Sequence, residues 1–164
     1  MDIENENINN TDDIDDINNE ESAGDIKRKK EEVKYIEINP GQLEKSKDLA
    51  GKIGVILDDK KAKNVKIIET NKQTILADYF VIATGTSSTH IRSLAGEVEF
   101  QLKEKYNIEA SRVSGQGSAD WIILDYDSVL AHIFNSEARD YYKLEKLWSD
   151  GESINVEELL NLNK

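Results

Sequence analysis

Ile75-Leu76-Ala77-Asp78-Tyr79-Phe80-Val81-Ile82-Ala83-Thr84, closed by Gly85, is a nearly continuous apolar run. A run of this length, bounded by a turn and a glycine, reads as a central strand covered on both faces. Downstream, Ser87 or Ser88 is placed to cap a helix whose Ile91, Leu94, Ala95, Val98 and Leu102 mark one buried stripe. Glu99 and Lys103 form an i, i+4 pair on the outer face of that helix. Upstream, Asn71-Lys72-Gln73 is a turn, preceded by a strand rich in Val and Ile from Asn64 to Thr70.

Further out, Asn39-Pro40-Gly41-Gln42 combines an N-cap residue, Pro at the first helical position and Gln three residues after the cap. Apolar residues from Leu43 to Leu57 then recur at helical spacing, although Gly51 and Gly54 weaken the pattern. Towards the C-terminus, Ile108 to Val113, Trp121 to Tyr126 and Val129 to Phe134 read as strands. The tight link Asp127-Ser128 makes the last two a hairpin. A helix capped by Asn135 or Ser136 is expected to run to about Trp148. The order α-β-β-α-β-β-β-α predicts an α/β (α+β) fold, a mixed sheet of about five strands with flanking helices.

Composition bounds the function. The chain of 164 residues has no cysteine, which excludes thiolate chemistry and fits a reducing compartment. Its N-terminus lacks the order of a signal peptide, and a cytoplasmic protein is expected. The net charge of −12 is uneven: residues 1–25 hold ten acids and no Lys or Arg, leaving 23 acids against 21 bases in residues 26–164. Residues 1–38 are therefore expected as an acidic disordered tail and linker, residues 39–150 as the folded domain, and residues 151–164 as a C-terminal tail with a short helix. Residues 33–38 could also add a strand. Lys27-Arg28-Lys29-Lys30 is flanked by acids and reads as solvated linker. A near-neutral body is a poor nucleic-acid binder, since phosphate contacts need clustered bases; a basic protein partner fits better.

Three constellations could carry chemistry. Asp125-x-Asp127 could serve as a two-metal carboxylate pair, with Gly85-Thr86-Ser87 holding a phosphate at a helix N-terminus, as in a metal-dependent nucleotidyltransferase. A helix and a strand intervene between the two, and an Asp in a hairpin turn is commonplace, so the bland reading is favoured. His90 and His132 sit on different elements without metal-ligand spacing. The aromatics Trp121, Tyr126, Tyr141, Tyr142 and Trp148 crowd the last third, and position alone leaves Trp121 between an interface anchor and a core residue.

Four stretches together resemble one family. They are Ala77 to Ser87 with His90 following, Ala119-Asp120-Trp121-Ile122-Ile123-Leu124-Asp125-Tyr126, His132-Ile133-Phe134, and Arg139-x-x-Tyr142-x-Leu144-Glu145-x-Leu147-Trp148. In this order they resemble the ribosomal silencing factor family (RsfS, Iojap-like) over about residues 42–150. The resemblance implies a nucleotidyltransferase-like fold without a working active site, no cofactor and no metal. It implies docking on the large ribosomal subunit through ribosomal protein L-fourteen, which blocks subunit joining and represses translation when nutrients are scarce. The partner surface would include Trp121, Ile123 and Tyr126, and a homodimer stays open as a competing association. The chain departs from the family pattern at Asp127-Ser128, where Gly-Asp is usual, and at Ser114-Gly115, where Glu-Gly is usual.

Overall fold

The computed structural model describes residues 39–162; the expectations for the tail, the basic run and a strand at 33–38 lie outside them. The elements are α1 (Pro40–Asp59), β1 (Lys63–Glu69), β2 (Tyr79–Thr84), α2 (Ser88–Tyr106), β3 (Arg112–Ser114), β4 (Trp121–Asp125), β5 (Val129–Phe134), α3 (Ser136–Tyr142), α4 (Leu144–Leu147), β6 (Ser153–Ile154) and α5 (Val156–Leu162). They build a six-stranded mixed sheet in the order β3-β4-β5-β2-β1-β6, flanked by helices on both faces. That is one strand more than the sequence pattern predicted. β2 and β5 run parallel at the centre, Tyr79 opposite Val129 through Thr84 opposite Phe134, and the other pairs are antiparallel.

Strand alternation divides the core in two. Tyr79, Val81, Ala83, Ile122, Leu124, Val129, Ala131 and Ile133 face the larger core, which α1 and α2 close with Ala50, Ile53, Leu57 and the expected stripe of Ile91, Leu94, Ala95, Val98 and Leu102. Ile68, Phe80, Ile82 and Phe134 face a smaller cluster, covered by Ala138, Leu144 and Trp148 from and beside α3 and α4. This is why all six residues of β2 are buried. Gly54 is accommodated in α1 because the helix lies close to the sheet: a Cβ there would stand 3.0 Å from Ile67 Cδ1.

Several boundaries differ from the sequence pattern. The central strand begins at Tyr79, and Ile75 and Leu76 lie outside it in the preceding loop, 82% and 65% exposed. β3 is only Arg112–Ser114. The expected helix to Trp148 breaks at Lys143, which takes a left-handed conformation (φ 47°) and separates α3 from α4. Lys103 pairs with Glu109 rather than Glu99. Residues 151–164, expected as a tail with a short helix, do carry a helix, α5, whose Val156 is buried in the larger core, and they add edge strand β6 against β1, which was not expected.

Candidate partner-binding face

β4 exposes its two faces unequally. Ile122 and Leu124 point into the larger core, whereas Trp121, Ile123 and Asp125 stand half-buried on the opposite face. The hairpin register sets Trp121 opposite Phe134 and Ile123 opposite His132. The Trp121 indole stacks on the Phe134 ring at 4.8 Å and meets Tyr142 at 4.6 Å. Its Nε1–H donates to His132 Nδ1 at 3.2 Å. Phe80 lies 4.9 Å from the His132 ring, and Trp148 meets Phe80 edge-on at 5.5 Å. Tyr142 and Tyr141, 47% and 81% exposed, continue this aromatic surface outward. Asp120, Asn135, Glu137 and Ala138 join the two tyrosines around an adjoining groove of about 380 Å³, which gives the surface an acidic rim.

Two of the three expected partner-binding residues therefore share an accessible face, and the third does not. Tyr126 is 5% exposed and belongs to the larger core on the opposite side of the sheet. It stands five residues after Trp121, so strand alternation turns it inward with Ile122 and Leu124. Burial raises its phenol pKa, with the Glu99 charge adding to the effect. His132, expected as a satisfied strand residue, is only half satisfied: its Nε2 is buried with no hydrogen-bond partner among the described residues, and burial lowers its pKa to about 4. Tyr142 and His132 are the residues that sequence reasoning missed here; once the turn fixes the hairpin register, His132 lies diagonal to Trp121.

The β2–α2 turn has a structural role for its histidine. Ser87 Oγ caps α2 by accepting from the His90 N–H at 3.0 Å. Thr86 N–H donates to His90 Nδ1 at 3.1 Å, and His90 Nε2 donates to Lys60 O at 3.0 Å, tying the turn to the end of α1. At this same end of β2, Arg139 in α3 is buried, with Nη1 donating to Thr84 Oγ1 at 2.8 Å and Nε to Glu145 Oε1 at 2.8 Å.

Asp125 and Asp127 are both engaged in the β4–β5 turn. Asp125 Oδ1 accepts from the Asp127 N–H at 2.9 Å, and Asp127 Oδ2 accepts from Ser111 Oγ at 2.7 Å. Asp127 adopts φ 63°, a left-handed conformation that Asp and Asn tolerate better than other side chains. Among the described residues, no group of three or more His, Asp or Glu is placed to hold a metal ion. Asp127→Asn keeps both the acceptor and the conformational tolerance, so its stability should stay within about 1 kcal/mol of wild type. Asp127→Val loses both and should cost about 2 kcal/mol. Equal melting curves for the two variants would refute this turn role.

Residues 43–164 match the family model described as "Ribosomal silencing factor during starvation". The chain is 32% identical over 105 residues to "Ribosomal silencing factor RsfS" of Halalkalibacterium halodurans, covering 64% of this chain and 89% of that one. It is 28% identical over 99 residues to the mouse "Mitochondrial assembly of ribosomal large subunit protein 1", covering 57% of this chain and 42% of the mouse protein. A crystal structure of a Chromobacterium violaceum protein superposes with a TM-score of 0.60 at 30% identity, covering 63% of this chain and 85% of that one. With the family model spanning well over half of the sequence and the same fold found at 30% identity, the chain belongs to the ribosomal silencing factor (RsfS) family.

Proposed function

We propose that this chain binds the large ribosomal subunit through ribosomal protein L-fourteen, keeps the small subunit from joining and so represses translation under nutrient limitation. It acts in the cytoplasm as a binding protein, without catalysis of its own, and the body from Asn39 onward does the binding with the acidic stretch 1–38 as an appendage. The observation that carries this reading is the half-exposed Trp121–Ile123 face, continued by the exposed Tyr141 and Tyr142 and rimmed by Asp120 and Glu137. Half-buried Trp and Tyr with a polar rim are the residues and arrangement that anchor protein interfaces. An acidic rim suits a basic protein surface.

Co-sedimentation of the purified protein with isolated large subunits tests the reading, followed by addition of small subunits to score joining. Trp121→Ala is expected to weaken binding by about 2 kcal/mol, roughly thirtyfold. Because the indole also packs on Phe134 and Tyr142, the same variant should lose about 1–2 kcal/mol of fold stability and remain folded. Ile123→Asp places a charge on the same half-exposed face and should impair binding comparably. Normal binding by both folded variants would place the interface elsewhere.

A further inference from the structure

We propose that His132 is a positioning residue for partner binding, its imidazole Nδ1 holding the Trp121 indole in the pose that meets the partner. This rests on the reading of the Trp121 face as the interface. An indole has one polar atom, the Nε1–H donor. Here that donor is turned onto a side chain buried in the sheet, at 3.2 Å, while the ring stays half accessible. What Trp121 then offers a partner is apolar ring, with its hydrogen-bonding group already engaged.

The arrangement carries a cost that a purely structural residue would avoid. Because Nδ1 accepts, the proton of the neutral ring sits on Nε2, and Nε2 is buried with no partner among the described residues. A buried unpaired donor is destabilising, whereas a purely apolar side chain leaves none. The same strand face places Leu130 and Phe134 on either side of His132, so apolar residues fit this row. The surroundings of His132 are the rings of Phe80, Trp121 and Phe134, with Ile82 and Ile123 opposite it on β2 and β4. Among the described residues no charged group contributes to its protonation; burial keeps the ring neutral and Nδ1 an acceptor. What the histidine adds at this position is the acceptor for Trp121.

The test compares His132→Phe, which keeps a ring and removes the acceptor, with His132→Asn, whose Oδ1 takes the place of Nδ1. The first readout is the Trp121 indole N–H resonance, distinguished from that of Trp148 by a Trp148→Phe variant. The second is binding to isolated large subunits. In His132→Phe the resonance should shift upfield, its exchange with solvent should quicken at least tenfold, and binding should weaken about tenfold while melting at pH 7 is unchanged or higher. His132→Asn should recover part of both. If His132→Phe binds like wild type while Trp121→Ala does not, the positioning role is overturned and the interface stands. If Trp121→Ala binds normally, the positioning role is overturned; if Ile123→Asp binds normally as well, the interface reading itself fails. A His132→Phe variant that melts earlier yet binds fully when folded also overturns the proposal, by showing a structural role. Should His132→Phe not fold, a His132→Asn protein whose indole resonance matches that of free tryptophan overturns it instead.

Discussion

Arg139→Leu is expected to destabilise the fold by about 3 kcal/mol, measured by denaturant unfolding at neutral pH. Arg139 is 8% exposed, and its guanidinium joins three elements: α3, which carries it, the end of β2 through Thr84 Oγ1, and α4 through Glu145. Both Nε and Nη2 donate to Glu145 Oε1. Burial works to raise the Glu145 pKa, but the Arg139 hydrogen bond and charge, with Lys66 adding, hold it below the usual carboxylate range. Removing one partner of a buried pair costs roughly 3–5 kcal/mol, because the other charge stays behind unpaired. The Glu145 side chain is 25% exposed, so solvent screens part of that cost and places it at the lower end. Replacing both partners, Arg139→Leu with Glu145→Leu, removes the stranded charge and should lie closer to wild type than Arg139→Leu alone. A single variant within about 1 kcal/mol of wild type would show that the pair does not anchor α4.

The consequence reaches the aromatic face. Lys143 breaks the helix between Arg139 and Glu145, and the pair bridges that break. Beyond it, Leu144 and Trp148 pack on the smaller cluster, Trp148 edge-on to Phe80, which in turn meets His132. Arg139→Leu should therefore loosen the cover over one side of the Trp121 cluster.

What was legible in the sequence follows from periodicity. β2 shows as a continuous apolar run because both its faces are covered, and the five-residue stripe of α2 shows because one helical face is buried. The β4–β5 hairpin shows because its connection is too short for anything but an antiparallel return. The failures come where apolar content and periodicity part company. Ile75 and Leu76 extend the apolar run but lie in a loop outside the ladder. Lys143 carries no sequence signal for a left-handed residue, so the break between α3 and α4 is invisible beforehand. β6 has two residues, too few for any period, and exists only because β1 offers it an edge. At the site, alternation alone places Trp121 with Ile123 and turns Tyr126 the other way. Tyr142 arrives from a separate helix, and no local pattern brings it to Trp121.

Acidification should remove about 3 kcal/mol of stability through His132 alone. Its pKa moves from about 6.5 in the unfolded chain to about 4 in the fold, driven by burial. The folded state thus disfavours the protonated ring, and the unfolded chain takes up the proton first. The contribution is fully present above about pH 6.5. It declines as pH falls from there towards 4, and below the folded pKa no further loss comes from this group. A shift of this size, at about 1.4 kcal/mol per unit, sets the magnitude. Carboxylates held below their usual range, Glu145, Glu97 and Glu109, lose their contributions only at lower pH, as they become protonated. The histidine window is therefore the upper part of the acid limb. His132→Phe cannot take up the proton in either state, so the difference in unfolding free energy between wild type and variant isolates the term. That difference should change in the variant's favour by about 1 kcal/mol between pH 7 and pH 5.5, and by about 3 kcal/mol between pH 7 and pH 4. A difference that stays constant over this range would mean that the folded protein accommodates the imidazolium among the Phe80, Trp121 and Phe134 rings, and would refute the burial penalty argued here.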